Sequence, residues 1–173
     1  RMSELIDNVM DFAKGRLGGG IVLDRNAHAP LGPTLLQVVD ELRTSHPDRA
    51  IEVELSIDEP VDCDRPRIGQ LMSNLLGNAL THGAPELPIR LTAFTTTGAL
   101  EIAIANGGSQ ITAAAMEKLF QPFFRGDVRP SQQGLGLGLH IASEIAKAHG
   151  GMLTATSSAE ETRFVFTMPL LRG

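Results

Sequence analysis

Residues 65–82 read Arg-Pro-Arg-Ile-Gly-Gln-Leu-Met-Ser-Asn-Leu-Leu-Gly-Asn-Ala-Leu-Thr-His, and this stretch predicts a helix. Its apolar residues recur at the spacing of one buried helical face: Ile68, Leu71, Met72, Leu75, Leu76 and Ala79. Gln70, Asn74, Asn78 and His82 recur every fourth residue, which puts four neutral polar side chains in a stripe along the edge of the core. Asn is a poor helix former, so two of them inside one helix need a reason. The stripe is typical either of a partly solvated helix edge or of a face that holds phosphate oxygens and a hard cation such as Mg²⁺.

The segments around this helix predict an α+β fold, a two-layer sandwich in which a mixed, mostly antiparallel sheet is covered on one face by three helices. Besides the central helix, we expect helices over 34–46, 112–119 and 137–148 and strands over 21–23, 51–57, 88–95, 99–105, 152–157 and 162–168. Asp64 and Pro66 predict the N-cap and first turn of the central helix.

A separate amphipathic helix is predicted over 1–16, and Gly18-Gly19-Gly20 ends it. Its apolar stripe has the spacing of a helical bundle or coiled-coil seam and consists of Met2, Leu5, Ile6, Val9, Phe12 and Ala13. We therefore expect a helical appendage over 1–17, a flexible joint at 18–20 and one domain over 21–173. Because the chain begins inside this pattern, we expect it to be a fragment of a longer protein.

Composition excludes several classes of function. The formal charge is −5 and there is no basic run, which argues against nucleic acid or an anionic membrane as the main partner. No apolar stretch reaches membrane-spanning length and nothing resembles a signal peptide. Cys63 is the only cysteine, so neither a disulfide framework nor a thiolate metal site is expected. Cytoplasm is the expected compartment.

A glycine-rich stretch, Gly134-Leu-Gly-Leu-Gly-Leu139, runs directly into the last predicted helix. Glycines let backbone N–H groups approach phosphate oxygens, and a helix N-terminus adds partial positive charge there. A dinucleotide-binding fingerprint would need glycine at position 139, and a P-loop would need Lys-Ser/Thr after the last glycine. The stretch alone therefore fits either a phosphate-binding turn of another kind or a flexible hinge.

Together, these features follow a fixed order: the Asn-bearing helix, a glycine turn after a strand at 106–108, the segment Phe120-Gln-Pro-Phe-Phe-Arg125, a polar stretch without periodicity, and the glycine-rich stretch. This order resembles the catalytic, ATP-binding domain of sensor histidine kinases, where the parts are called the N box, G1 box, F box, ATP lid and G2 box. The resemblance covers nearly the whole chain. It implies the Bergerat-type ATP-binding fold, ATP and Mg²⁺ as ligands, and a lid over about 112–133.

The resemblance also implies a role for each matching residue. Asn78 would ligate Mg²⁺, with Asn74 beside it on the phosphate side. His82 falls near the phosphates, although a helix-end histidine with a purely structural role fits as well. Arg125 would reach the γ-phosphate, the alternative being a solvated arginine. The G2 box would hold the phosphates through backbone groups at Gly134, Gly136, Gly138 and Leu139.

The G1 box departs from the family's Asp-x-Gly-x-Gly pattern. Asn106 stands at the Asp position, Gly108 keeps the first glycine, and Gln110 replaces the second. An amide still accepts a hydrogen bond from the adenine amino group but loses charge assistance, which is worth about 1 kcal/mol. We therefore expect weaker ATP binding and looser base selectivity. Thr81 stands where many members have lysine, so one phosphate-directed cation is missing.

Two further absences bear on the reaction. Hydrolysing members of the gyrase and chaperone superfamily carry a glutamate base four residues before the Mg²⁺ asparagine, and here that position is Asn74, which cannot take a proton. A kinase is therefore favoured over an ATPase. The family's acceptor histidine is followed by an acidic residue, and none of the five histidines is: His28, His46, His82, His140 and His149. We expect the acceptor upstream of Arg1.

By this resemblance, residues 1–16 are the end of the second helix of a dimerisation and phosphoacceptor hairpin. The implied partners are that hairpin, a second copy in the full-length homodimer, and the aspartate of a response regulator, with no nucleic acid or membrane contact by this fragment. Two other functions stay open. One is a degenerate nucleotide-binding module that regulates by conformation or supports phosphatase action. The other is an anti-sigma-type serine kinase, against which the bundle-like helix before Gly18 argues.

Overall fold

The computed structural model describes residues 2–124 and 136–170. Its elements in chain order are α1 (Met2–Arg16), α2 (Gly32–Ser45), β1 (Ile51–Ser56), α3 (Arg65–His82), β2 (Ile89–Thr96), β3 (Ala99–Asn106), α4 (Ala113–Lys118), α5 (Gly138–Ala148), β4 (Met152–Ser157) and β5 (Thr162–Pro169). The strands form one sheet of order β1-β2-β3-β5-β4. β1 pairs with β2 in parallel and the other neighbours pair antiparallel, which confirms the predicted mixed, mostly antiparallel sheet.

The central helix α3 begins and ends where the sequence predicts. Asp64 is extended, with φ −91° and ψ 101°, and its carboxylate accepts a hydrogen bond from the Arg67 N–H at 3.2 Å. This N-cap satisfies one of the first N–H groups of the helix, which have no intrahelical partner. Pro66 in the first turn costs no hydrogen bond there, for the same reason.

The core lies between one face of the sheet and the helices α2, α3 and α5. Strand β5 alternates buried and half-buried residues, so Phe164 and Phe166 point into this layer. From the helix side, Leu71 and Leu75 of α3 are fully buried. Burying such a side chain contributes roughly 1.5–3 kcal/mol each, so α3 is anchored by its apolar face while its polar edge stays available.

The prediction of a strand at 21–23 is wrong. In the described part of the chain, the segment between α1 and α2 meets another strand-like segment only through one isolated bridge, between Asn26 and Cys63. Arginine side chains hold it instead: Arg65 donates to the backbone carbonyls of Asn26 and Ala29, and Arg25 donates to the Asp62 carbonyl at 2.8 Å. Three apolar residues offer too few ladder bonds to compete with these side-chain contacts.

The helix α1 has the predicted length, and of its predicted apolar stripe Phe12 packs against the domain. Ile6 is 58% exposed, and Leu5 and Val9 are also exposed. The buried side chains are the polar Asn8 and Asp11, at 7% and 8% exposure. These two lie against the polar edge of α3, so tertiary hydrogen bonds, together with the packing of Phe12, orient α1.

Candidate functional site

The middle of α3 faces the beginning of α5. A Cβ atom built on Gly138 would lie 3.7 Å from Cγ and 3.8 Å from Oδ1 of Asn74. Asn78 lies one turn further along the same edge and is half-buried. Its side chain makes no hydrogen bond to any residue that the structure describes. The Asn78 amide and a glycine helix start thus lie on either side of Asn74.

The beginning of α5 is suited to an anion. Leu137 at the N-cap makes no side-chain capping bond, so no side chain at that position competes for the first N–H groups of the helix. These N–H groups carry the positive end of the helix dipole. Leu139, predicted as a ligand through its backbone, packs its side chain partly buried against the core. The Leu139 side chain therefore has a structural role, and its backbone role at the site stays a prediction.

The C-terminal end of α3 meets the turn that follows β3. A Cβ on Gly83 would lie 3.1 Å from Cβ and 3.2 Å from Nδ2 of Asn106. Gly108 has φ 132°, and a Cβ there would lie 3.2 Å from the carbonyl oxygen of His82. The Ala84 N–H donates to the Gly107 carbonyl at 2.9 Å. These close approaches bring Asn106, Gly108 and the end of α3 together, while the His82 side chain is exposed.

Asn106 is oriented by its own turn. It is 7% exposed, and its Nδ2 donates to the Gly107 carbonyl oxygen at 3.0 Å. With the amide nitrogen used in this way, Oδ1 is the group left to accept a hydrogen bond from a ligand. The residue therefore presents an acceptor, as an aspartate at the same position would.

Arg49 is a further residue at this end of α3 that the sequence analysis missed. Its guanidinium donates to the Leu80 carbonyl at 2.7 Å and to the Ala84 carbonyl at 3.5 Å. A cation at the C-terminal end of a helix is favourable because the last carbonyls lack partners there. No local pattern could have signalled this role, because Arg49 lies in the connection between α2 and β1.

Gly136 supports the end of the Phe-rich segment. Its φ is 75°, and its carbonyl accepts the Phe123 N–H at 2.9 Å. Phe123 itself has φ 67°, the only positive value at a non-glycine among the described residues. His140 of α5 bonds the Phe120 carbonyl through Nδ1 at 3.1 Å. The predicted F box and G2 box are therefore in direct contact.

Two predicted site residues, Arg125 and Gly134, lie outside the described residues, as do positions 125–133 of the predicted lid. The first part of that lid, within 112–124, contains the helix α4, capped by the Thr112 hydroxyl, which accepts from the Ala115 N–H at 3.1 Å.

Metal-binding capacity is limited to what the amides offer. In residues 5–124 and 136–170, whose side chains the structure describes, no three His, Cys, Asp or Glu side chains are grouped so that they could hold a metal ion. An amide oxygen such as that of Asn78 suits Mg²⁺, which binds through few protein ligands when phosphates and waters complete its shell. The donor set therefore fits a cation that arrives with a phosphate ligand.

An amide-edged helix, a glycine turn after β3 and a bare helix start, set over a mixed sheet, define an ATP-binding domain of the Bergerat type. The chain belongs to the family described as histidine kinase-, DNA gyrase B-, and HSP90-like ATPases, whose model matches residues 63–172. This membership confirms the resemblance to the catalytic, ATP-binding domain of histidine kinases and confirms ATP as its ligand.

Individual relatives place the chain within that family. It is 27% identical over 172 residues to a bacteriophytochrome of Pseudomonas aeruginosa, covering 98% of this chain and 24% of the relative. It is 31% identical over 174 residues to the probable sensor histidine kinase TcrY of Mycobacterium tuberculosis, covering 98% of this chain and 36% of the relative. A solved structure of full-length ShkA in complex with AMPPNP superposes with a TM-score of 0.78 at 26% identity, covering 98% of this chain and 36% of that one.

The chain thus spans between about a quarter and about a third of the length of these relatives. It corresponds to the ATP-binding catalytic domain of sensor histidine kinases. Among the described residues, no helix is both long enough and apolar enough to cross a membrane.

Proposed function

We propose that this domain presents the γ-phosphate of Mg²⁺-ATP to a histidine that lies outside residues 1–173, in a longer kinase that relays the phosphoryl group to a response-regulator aspartate. The observation that carries the proposal is Asn74. It lies at the centre of the polar edge, beside the start of α5, where hydrolysing relatives carry a glutamate base. An amide cannot take a proton from water, so the site positions ATP for a nucleophile supplied from elsewhere.

Each polar group has a place in this proposal. The Asn78 oxygen ligates Mg²⁺ together with phosphate oxygens, which is consistent with a half-buried amide that no described residue engages. The backbone at Gly136 and Gly138 holds phosphate oxygens at the start of α5. Asn106 accepts a hydrogen bond from the adenine amino group through Oδ1. Catalysis then consists chiefly of positioning and charge neutralisation.

The helix α1 is proposed to be the end of a dimerisation hairpin. Its apolar residues Ile6 and Met10 are 58% and 55% exposed, so a second helix has a face to cover. Gly18 and Gly20 have φ values of 88° and 60°, which favour glycine, and they form the joint to the rest of the chain. In the longer protein this arrangement supports a homodimer.

Calorimetric titration with a non-hydrolysable ATP analogue, with and without Mg²⁺, tests the proposal. We expect micromolar to tens-of-micromolar binding, about −8 to −6 kcal/mol, that strengthens with Mg²⁺. Asn78→Ala removes the metal ligand and should abolish the Mg²⁺-dependent gain. Gln37→Ala is the matched control, because Gln37 is an exposed amide on α2, away from the site.

Binding that is equally Mg²⁺-dependent in Asn78→Ala would contradict the assigned metal ligand. Absence of binding up to millimolar analogue, both in the wild type and in a variant whose α1 no longer covers the polar edge of α3, would contradict the kinase proposal. The second candidate, a regulatory module without phosphoryl transfer, would then take its place, since Gln110 and Thr81 both lie at the surface without the family's glycine and lysine.

A further inference from the structure

The polar face of α1 covers the polar edge of α3. Asn8 and Asp11 are buried in α1 although both are polar, whereas the apolar Leu5, Ile6, Val9 and Met10 are exposed. Buried polar side chains require hydrogen-bond partners. Both find theirs on α3, on the edge that carries Asn74.

Asn8 engages both ends of the Asn74 amide. Asn8 Nδ2 donates to Asn74 Oδ1 at 3.3 Å, and Asn74 Nδ2 donates to Asn8 Oδ1 at 3.3 Å. Gln70 Nε2 also donates to Asn8 Oδ1 at 3.3 Å. The amide beside the proposed phosphate-binding start of α5 is thus occupied by a side chain of α1.

Asp11 fixes the same contact one turn further along. Its Oδ2 accepts from the Arg67 guanidinium at 2.7 Å and from Gln70 Nε2 at 2.8 Å. The Asp11 side chain is only 7% exposed, so this ion pair is shielded from solvent more than a surface pair. It holds Asn8 in register with Asn74.

A third contact joins α1 to the elements around the start of α5. The Phe12 ring meets Phe123 edge to face, with centroids 4.9 Å apart, and meets His140 with centroids 5.9 Å apart. Phe123 is the residue whose N–H is held by Gly136. The docked helix therefore touches the N box, the F box and the helix of the G2 box at once.

We propose that α1 and the phosphates of the bound nucleotide compete for Asn74. This inference rests on the proposed function, in which phosphate oxygens bind at the start of α5, directly beside Asn74. With α1 docked, the Asn74 amide is satisfied by Asn8 and the domain binds nucleotide weakly. When nucleotide takes Asn74, α1 loses its contacts with this edge and undocks. The coupling is reciprocal: docking of α1 lowers nucleotide affinity by the same factor by which bound nucleotide weakens the docking of α1. A partner that holds α1 away from α3 therefore raises nucleotide affinity.

Point variants of the whole chain test the competition. Asn8→Ala frees both ends of the Asn74 amide, and Asp11→Ala removes the ion pair that holds α1. For each we expect a Kd for a non-hydrolysable ATP analogue with Mg²⁺ that is lower by a factor in the range of roughly 5- to 150-fold. Asp7→Ala is the charge-matched control, because Asp7 is exposed beside Asn8, and its Kd should equal that of the wild type.

Hydrogen–deuterium exchange gives the reciprocal readout. Saturating analogue should speed exchange of the α1 amides around Asn8 in the wild type, whereas a purely structural contact would leave them unchanged. A wild type that binds, with an unchanged or higher Kd in both Asn8→Ala and Asp11→Ala, would overturn the competition and leave the proposed function intact. No binding by the wild type or by any variant would overturn the proposed function itself.

Discussion

Gly136→Ala is expected to destabilise the fold, because the structure leaves no room for a Cβ atom at this position. Gly136 has φ 75°, a conformation that side chains with a Cβ rarely adopt. A Cβ there would lie 2.7 Å from the Phe123 carbonyl carbon, 2.7 Å from the Phe124 carbonyl oxygen and 2.9 Å from the Phe124 nitrogen. All three are backbone atoms, so no side-chain rotation can relieve the overlap. The chain at 123–124 has to move.

The cost follows from these contacts. Holding alanine in the left-handed region costs roughly 1–2 kcal/mol. Moving the Phe124 backbone weakens the bond from the Phe123 N–H to the Gly136 carbonyl, worth about 1 kcal/mol. The neighbouring Leu137 is buried at 2% exposure, so the strain reaches the core rather than dissipating in solvent. For a chain of this size, a loss of about 3 kcal/mol lowers Tm by roughly 6–12 °C.

Gly138→Ala is the matched control. Gly138 lies in α5, and the nearest atom that its Cβ would meet is Asn74 Cγ at 3.7 Å, an ordinary van der Waals contact. Alanine is a better helix former than glycine by up to about 1 kcal/mol, so Tm should stay the same or rise. Thermal unfolding followed by circular dichroism compares the two variants with the wild type. A Gly136→Ala protein that unfolds at or above the temperature of Gly138→Ala would refute the reasoning.

Two further predictions concern Asn106 and His149. Asn106→Asp should raise ATP affinity several-fold and increase the preference for ATP over GTP in calorimetry, through a charge-assisted bond worth about 1 kcal/mol. Without nucleotide it should lower Tm, because a carboxylate cannot donate to the Gly107 carbonyl. Unchanged affinity and unchanged nucleotide preference would contradict this prediction. Burial lowers the pKa of His149, whose Nε2 accepts the Asp64 N–H at 3.1 Å, so the folded protein favours the neutral imidazole. The contribution of His149 to the free energy of unfolding is therefore fully present above about pH 6.5, and it is lost as pH falls toward the lower folded-state pKa. Urea unfolding at pH 7.5 and 5.5 should therefore show a larger loss of unfolding free energy in the wild type than in His149→Gln, and equal losses would contradict the assignment.

Most of the fold could be predicted because its signals are local. The bounds of α3 follow from an N-cap aspartate, an early proline and apolar residues at helical spacing, all within residues 64–82. The hairpin of β2 and β3 follows from alternation on either side of Gly98, whose φ is 88°. Such patterns state what each segment can form, independent of its partners.

The parts that sequence reasoning missed depend on contacts between distant residues. Asn8 and Asn74 are 66 positions apart, and Arg49 contacts Leu80 from the connection between α2 and β1. In the candidate site, the glycines of the G2 box seemed equivalent as a pattern. The structure separates Gly136, which backbone crowding requires, from Gly138, which has room for a Cβ. That distinction is one of packing, and spacing alone does not contain it.

The contact between α1 and α3 can open because it is made by polar side chains. Phe12 packs against the domain while Ile6 and Met10 are exposed, so releasing the helix exposes the apolar surface of a single aromatic ring, at about 25 cal/mol per Å². The other docked side chains are Asn8 and Asp11, whose amide and carboxylate groups exchange hydrogen bonds with α3 for hydrogen bonds with water at a net cost of roughly 0.5–1.5 kcal/mol per bond. Docking through this polar face is reversible, whereas the exposed apolar face with Ile6 and Met10 is suited to a permanent helix–helix interface. One helix can therefore remain in a hairpin through its apolar side while its polar side binds or releases the nucleotide site.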